Sequence, residues 1–583
     1  MKYKLINELY SDNFLSNLLH ERGIENLEEF KNPSPSNLQS PENLDNVRLG
    51  YMMLAQYAGQ HCKIALVVDC DVDGYTSATV ARVGLERMAQ ATQSNWEVVH
   101  YLHEGKEHGL SDVCDEIEAG NYDVVILPDA STNDYEYHER LGAHGSRVLV
   151  LDHHEKNEDA QFSDYAVIIN NQLSDRYTNK SLSGVGVTWQ FFRFVGKELG
   201  IPTLVDDQID IVALGLIGDM MDVRNLENRY IISHGLNSIQ NKFFIALCNK
   251  QAYSIKDTFT PITIAFYIVP LINAMIRVGT QEEKERVFLA LYDGDIEVEC
   301  HKRGCKGELE KVSIESAREC VNARAKQNRI LDKMMEAIDM IVEQKELLAH
   351  KIIVLELLEA YDLPKTLNGL LAMKVANKYK RPTLVVKRAD DGMLRGSIRN
   401  VHNSPLPDFK EFLTNTNLTE YVSGHANAAG IGIQVSNLDT FQELTDTQLA
   451  DVAFNENYHD INFIFDSASP LLEQFIYDVS DWSDTWGQQN DEPVVLVKNI
   501  SLDNYTIMGK SQDTVKVMHN GIAYIFFKAH DFIKELEGID VSKHTINVIG
   551  RTNVNEWMGT YTPQIFVDDY ELETKISKPK WEF

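Results

Sequence analysis

Short apolar runs that stop on an acidic residue punctuate the first 220 or so residues of the chain. Residues 64–68 run into Asp69-Cys70-Asp71-Val72-Asp73-Gly74, and 124–128 run into Asp129. Residues 148–151 run into Asp152-His153-His154-Glu155, and 214–218 run into Asp219. Continuous apolar runs of this length predict strands buried on both faces, as in parallel sheets. Helix-length stretches separate them, so the expected architecture is α/β, with four strand ends converging on one edge. That edge is where open α/β sheets place their chemistry.

Convergence matters because clustered carboxylates repel one another unless a cation neutralises them. A set rich in aspartate with two histidines suits manganese or magnesium better than a closed thiolate zinc site. A plainer reading stays open from these residues alone. Each aspartate could cap a helix, with His153 and His154 on the surface.

Details around the runs carry a resemblance. The four acidic sites, in this order, resemble motifs I to IV of the DHH phosphoesterase superfamily, and the surroundings resemble its RecJ-type single-strand DNA exonucleases. Asp69-Cys70-Asp71-Val72-Asp73-Gly74 resembles Asp-Tyr-Asp-x-Asp-Gly. Leu182-Ser183-Gly184-Val185-Gly186-Val187 resembles Leu-x-Gly-x-Gly-Val, and Glu227-Asn228-Arg229 resembles the segment after motif IV. Further on, Pro270-Leu271-Ile272-Asn273-Ala274-Met275-Ile276-Arg277 resembles Pro-x-Ile-Asn-Ala-x-Gly-Arg. Gly396-Ser397-Ile398-Arg399 resembles Gly-Ser-x-Arg, and Ser423-Gly424-His425-Ala426-Asn427-Ala428-Ala429-Gly430 resembles Gly-Gly-His-x-x-Ala-Ala-Gly. Beyond Cys70 and Ser423, three further positions depart from the pattern. Val67 stands where many members carry histidine, Ser131 where motif II usually has glycine, and Ile276 where glycine is usual.

The resemblance implies a two-lobed core: a parallel-sheet lobe, a long connecting helix and a DHH-associated α/β lobe, followed by a C-terminal β-barrel of the OB-fold. The boundaries expected are a helical lead-in at 1–47, the catalytic lobe at 48–235 and a helical region with the connecting helix at 236–350. The DHH-associated lobe follows at 351–455, and the OB-like domain at 456–583. Leu331, Met335, Ile338 and Val342 step by four, three and four, as one helix stripe requires. Short strands separated by turns fill the last domain, where Tyr505, Tyr524 and Trp557 fit base stacking and core packing equally. His103 and His108 read as members of an exposed glycine-bearing loop.

Composition complicates the nucleic-acid reading. With 87 Asp and Glu against 55 Lys and Arg, the net charge is −32, whereas phosphate binding draws on basic residues. Lys374, Lys378, Lys380, Arg381, Lys387, Arg388, Arg395 and Arg399 form the one obvious basic stretch. Seven cysteines without a Cys-x-x-Cys pair fit a reducing compartment, and Cys300, His301 and Cys305 read as a free thiol pair beside a histidine. No apolar run suggests a membrane span or a signal core, so a cytoplasmic location is expected.

The function implied by the resemblance is metal-dependent hydrolysis of single-stranded DNA from the 5′ end to mononucleotides, in repair or recombination. Asp69, Asp71, Asp73, Asp129, His153, His154, Asp219 and Asp152 would hold two Mn²⁺ or Mg²⁺ ions, which activate a water and clamp the phosphate. Asp152 has an alternative role, orienting a histidine. His154, His425 and Arg277 would act in catalysis. Ser77, Arg277, Arg395, Ser397, Arg399, Gly424 and His425 would contact substrate. A single-strand-binding protein or a helicase is the partner class this implies. Two other readings stay open: a DHH phosphodiesterase for short oligonucleotides or cyclic dinucleotides, and a non-catalytic scaffold of the same fold.

Overall fold

The computed structural model describes the chain except residues 8–12, 106, 257, 306, 359–360, 362, 403, 455–457 and 576–583. It divides into two compact units. One comprises Met1–Pro33, Asp222–Arg224 and Glu456–Phe583; the other comprises Ser34–Met221 and Asn225–Asn455. The stretch 1–47, read from sequence as one lead-in, is therefore split between them at residue 33.

The first sheet of the larger unit has five strands: β1 (His61–Val68), β2 (Asn95–Leu102), β3 (Val124–Pro128), β4 (Arg147–Asp152) and β5 (Ala166–Asn170). All pair in parallel, in the order β2-β1-β3-β4-β5. Ala65, Val67, Val125, Leu127, Val148 and Val150 join one core with Leu110, Val113, Ile117 and Leu141. Their neighbours Ile64, Leu66, Val124, Ile126, Leu149 and Leu151 are buried too. Both faces are covered, which is why the runs are continuously apolar and do not alternate.

Three helices bear on the carboxyl edge: α1 (Val72–Ala91), α2 (Gly184–Glu198) and α3 (Ile209–Gly218), with α1 packed on both others. The run ending at Asp219 belongs to α3 and is not a strand. Its apolar stretch begins at residue 209 and is buried on every side, a pattern shared by core helices and parallel strands. Asp219 is the residue just past the helix and still reaches the same edge. Gly215 is the point of close approach. A Cβ there would lie 2.3 Å from Thr76 Oγ1, 2.6 Å from Val185 Cγ1 and 2.7 Å from Asp73 Oδ1. Gly215→Ala is expected to cost about 1–3 kcal/mol in denaturant unfolding, the usual penalty for overpacking.

Residues 261–278 are long and apolar enough for a membrane span by composition, contrary to the sequence reading. The structure breaks them into α4 (Pro261–Tyr267) and α5 (Val269–Val278), with Pro270 in the first turn of α5, and 56% of the stretch is buried. The connecting helix α6 spans Val312–Gln344 and buries Leu331, Met334, Ile338 and Val342, so Met334 replaces Met335 in the stripe.

The second lobe holds β6 (Ile353–Leu357), β7 (Thr383–Arg388), β8 (Met393–Arg399), β9 (Thr419–His425) and β10 (Ala428–Gln434), ordered β9-β10-β8-β7-β6. Strand alternation gives this sheet two faces. Leu394, Ile398, Ala429, Ile431 and Ile433 enter the lobe's core. The intervening residues carry the chemistry described below.

In the smaller unit, strand Lys2–Leu5 pairs in parallel with Tyr458–Ile461, and Phe14 packs edge-on against Phe463, Phe465 and Phe475. Seven strands follow: β11 (Phe463–Asp466), β12 (Val494–Ser501), β13 (Tyr505–Met508), β14 (Thr514–His519), β15 (Ile522–Phe526), β16 (His544–Trp557) and β17 (Thr560–Thr574). Their order is β11-β12-β16-β17-β15-β14-β13. The outer strands β11 and β13 are not paired with each other among the described residues. The sheet is open where a closed barrel was expected. Strand β13 is short and largely exposed, so little burial is gained by closing on it.

Candidate functional site

The turn after β4 is organised by one carboxylate. Asp152 Oδ1 accepts the N–H groups of His153 (2.7 Å) and His154 (3.2 Å) and the Nδ1–H of His154 (2.8 Å), while Oδ2 accepts the N–H of Thr132 (2.9 Å). Burial would raise Asp152, but the hydrogen bond and charge of His154 hold it well below the usual carboxylate range. The two histidines are thereby differentiated. Burial lowers His153 to about 4, so its ring is neutral at pH 7. Burial also opposes charge on His154, yet its bond to Asp152 raises it to about 9. His154 is half exposed and His153 is nearly enclosed.

His153 Nε2 sits between two acids, 3.3 Å from Asp129 Oδ1 and 3.4 Å from Asp219 Oδ2. Neither of those buried oxygens has a hydrogen-bond partner. A neutral imidazole nitrogen and two orphaned carboxylate oxygens around one point are a donor set for a divalent cation. Asp73 completes a group with His153 and Asp219, and Asp152 and His154 complete one with Asp129 and His153. Asp73 is gripped by the start of α2, accepting from Ser183 Oγ (3.0 Å), Gly184 N–H (2.7 Å) and Val185 N–H (3.2 Å). Asp71 accepts the Gly74 N–H at the start of α1. Burial and then mutual repulsion raise Asp71, Asp129 and Asp219, the last to about 8. Burial also raises Asp73, against its hydrogen bonds. Such a cluster calls for a cation.

Motif II departs from its usual form at a cost visible in the backbone. Asp129 and Ser131 both adopt left-handed φ, 69° and 87°. Glycine is the natural residue at such a φ. Ser131 is held there by donating to Asp134 Oδ2 at 2.7 Å, with His138 Nε2 at 3.1 Å.

The second lobe's polar face is set by register. Arg399 pairs with Ala428 and Ala428 with His425; Ser397 pairs with Gly430 and Gly430 with Ser423. Small residues on the middle strand leave a trough flanked by Arg399 and Ser397 on one side and His425 and Ser423 on the other. Gly424 has φ 129°, and a Cβ there would meet the Ala429 backbone at 2.9 Å. His425 acts electrostatically on His153, and the charge of Arg277 reaches both Asp71 and Arg399. Burial lowers both arginines. Arg395 and Ser397 line a cleft of about 1320 Å³ with Lys345, Lys365, Lys387 and Arg388.

Other residues fall elsewhere. Ser77 is fully enclosed within α1, its hydroxyl without a partner. Several charges of the basic stretch are engaged locally, Lys374 by Asp332, Lys378 by Asp339, Arg388 by Glu356 and Arg395 by Asp391. Glu227 is buried and accepts from Tyr177, Asn179, Gln190 and the Gln39 N–H, a structural knot. Tyr524 is buried, whereas Trp557 is 70% exposed on the hairpin of β16 and β17. The histidine loop also differs from expectation. His103 is buried against Asp112, and His108 donates to Asp69 Oδ2 at 2.6 Å. Among the described residues Asp69 therefore groups with Cys70 and His108, apart from the His153 set. Spacing gave no signal for that grouping, because His108 lies 38 residues beyond Cys70.

A five-stranded parallel sheet with Asp-His-His at one strand end defines a DHH-type protein, and the DHH family N-terminal domain matches residues 63–216. The RecJ OB domain matches residues 473–569. A putative SPbeta prophage-derived single-strand DNA-specific exonuclease, YorK, of Bacillus subtilis is 34% identical over 100% of this chain and 99% of its own. The single-stranded-DNA-specific exonuclease RecJ of the same organism is 24% identical over 99% of this chain and 71% of its own. A crystal structure of RecJ in complex with Mn²⁺ from Thermus thermophilus superposes with a TM-score of 0.73 at 17% identity, covering 99% of this chain and 80% of that one. The chain belongs to the RecJ family of DHH proteins.

Proposed function

We propose that this protein is a cytoplasmic, metal-dependent exonuclease that hydrolyses single-stranded DNA from the 5′ end to mononucleotides during repair or recombination. The observation that carries the reading is the set of His153 Nε2, Asp129 Oδ1 and Asp219 Oδ2, two of them buried and orphaned. The names of its relatives and the ions in the related crystal structures support the same activity. Asp71, Asp73, Asp129, His153 and Asp219 would hold Mn²⁺ or Mg²⁺, which when bound supplies an activated water and offsets phosphate charge. Asp152, its oxygens already engaged by four N–H groups, orients His154 and the turn. His154, charged at neutral pH and half exposed, donates to the scissile phosphate group.

Arg277, Arg399 and His425 hold the phosphodiester opposite that edge, and the trough between Ser397 and Ser423 admits the backbone. Arg399→Ala is expected to lower kcat/KM on single-stranded DNA by about 10- to 150-fold, or 1.5–3 kcal/mol for a hydrogen bond to a charged group. Steady-state kinetics on an oligonucleotide would measure this. Exposed Trp557 stacks a base, and loose binding to a long strand draws on the basic cleft. A single-strand-binding protein or a helicase that delivers such a strand is the partner this activity requires. A competition assay separates this reading from the small-substrate alternative. With Mn²⁺ present, a long single strand should be degraded while excess cyclic dinucleotide is neither cleaved nor inhibitory; preferential cleavage of the dinucleotide would overturn the reading.

A further inference from the structure

We propose that Cys70, His108, His103 and Asp69 form a second metal site of the zinc class, distinct from the aspartate-histidine centre at the strand ends. The thiol of Cys70 lies 3.7 Å from His108 Nε2 and 3.8 Å from its Nδ1. A tetrahedral zinc with sulfur at about 2.3 Å and nitrogen at about 2.0 Å separates those two atoms by about 3.5 Å. Asp69, Cys70 and His108 each offer a ligand atom, all within 4.8 Å of one another.

His103 supplies an independent indication. Its Nδ1 lies 2.5 Å from Asp112 Oδ1, so that nitrogen carries a proton, and in the neutral ring Nε2 carries the lone pair. The Nε2 atom is buried, has no hydrogen-bond partner, and faces Asp69 Oδ1 at 3.7 Å. In that tautomer a lone pair faces a carboxylate oxygen, which also accepts the Gly109 N–H at 3.4 Å, and a cation between them stabilises the arrangement. A carboxylate behind the distal nitrogen of an imidazole is also the usual support of a metal-ligating histidine. Thiolate and imidazole together select zinc-class ions over the hard ions suited to aspartates. Uptake releases the thiol proton of Cys70 and the Nδ1 proton that His108 gives to Asp69. The bound ion ties His103 and His108 to the strand end that carries Asp71.

Lys284 and Arg277 also act on the thiol electrostatically, and they balance the charge of the neighbouring aspartates. The group of Cys300, Glu310 and Glu315 is different in kind. At Cys300 the guanidinium of Arg318 fills the space, pairing with Glu310 and Glu315 and lying 3.6 Å from the sulfur.

The test uses the full chain, stripped of metal, reduced, and held in excess Mg²⁺ to occupy oxygen-rich sites. Co²⁺ is then titrated in. A thiolate-to-cobalt charge-transfer band should saturate near one equivalent and vanish when Zn²⁺ is added. It should be absent in Cys70→Ser and unchanged in Cys300→Ser. His103→Gln, which leaves the thiol in place, should weaken Co²⁺ binding by about 10- to 100-fold. Absence of the band, or a band that survives Cys70→Ser or disappears in Cys300→Ser, would overturn the proposal. The readout is spectroscopic, so it holds or fails independently of nuclease activity.

Discussion

Asp129→Asn is expected to lower the nuclease kcat by about a hundred- to a thousandfold while making the metal-free protein more stable at pH 8. Asparagine keeps the shape and tolerates the left-handed φ of 69° at this position. It removes the charge that Asp73, Asp71, Asp69 and Asp219 oppose. The loss of rate follows from removing a charge that would position a cation at the transition state, with the magnitude usual for such groups. The gain in stability follows from relieving repulsion in a buried cluster. The pairing of effects is diagnostic, since a merely damaged fold would lose both. Single-turnover rates and thermal melts of the wild type and variant measure it.

The second large effect is a dependence of metal-free stability on pH that divalent ions abolish. Asp219, raised to about 8, is protonated in the metal-free fold at neutral pH. A carboxyl with a raised folded value contributes stability that is present at low pH and lost as pH rises through that value. His153, lowered to about 4, works from the other side. Its contribution is present above the ordinary histidine value and is lost as pH falls toward 4. Between about pH 4 and 6.5 the two slopes oppose each other, so the metal-free melting temperature should stay roughly level there and then fall from about pH 6.5 to 8 as the remaining Asp219 contribution is lost. Mn²⁺ at a hundredfold its dissociation constant adds about 2.7 kcal/mol per site. It should also flatten the alkaline fall, because a cation favours the ionised carboxylates. An alkaline limb equally steep with and without Mn²⁺ would contradict the account.

The strand ends were legible because β1, β3 and β4 are buried on both faces, which leaves a continuous apolar signature that breaks sharply at Asp69, Asp129 and Asp152. The same signature misled at Asp219, since α3 is enclosed all round and shows no helical stripe. The polar trough of the second lobe was legible as the glycine-histidine motif, but its facing of Arg399 across Ala428 to His425 depends on a three-strand register that no local pattern records. The separation of His153 from His154 into a neutral and a charged ring was beyond sequence for another reason. It rests on burial and on the direction of the Asp152 carboxylate. Closure of the C-terminal sheet is a long-range pairing of which short strands carry no record, and the barrel was implied by the resemblance alone.

The most direct test of the central claim is a long single-stranded DNA labelled separately at each end, incubated with the wild-type chain in Mn²⁺, in chelator, and with Asp129→Asn in Mn²⁺. Prompt release of labelled mononucleotide from the 5′ end in the first mixture alone is the predicted result. An intact strand in the first mixture, or equal release in all three, would contradict the assignment of a metal-dependent nuclease to the aspartate-histidine centre.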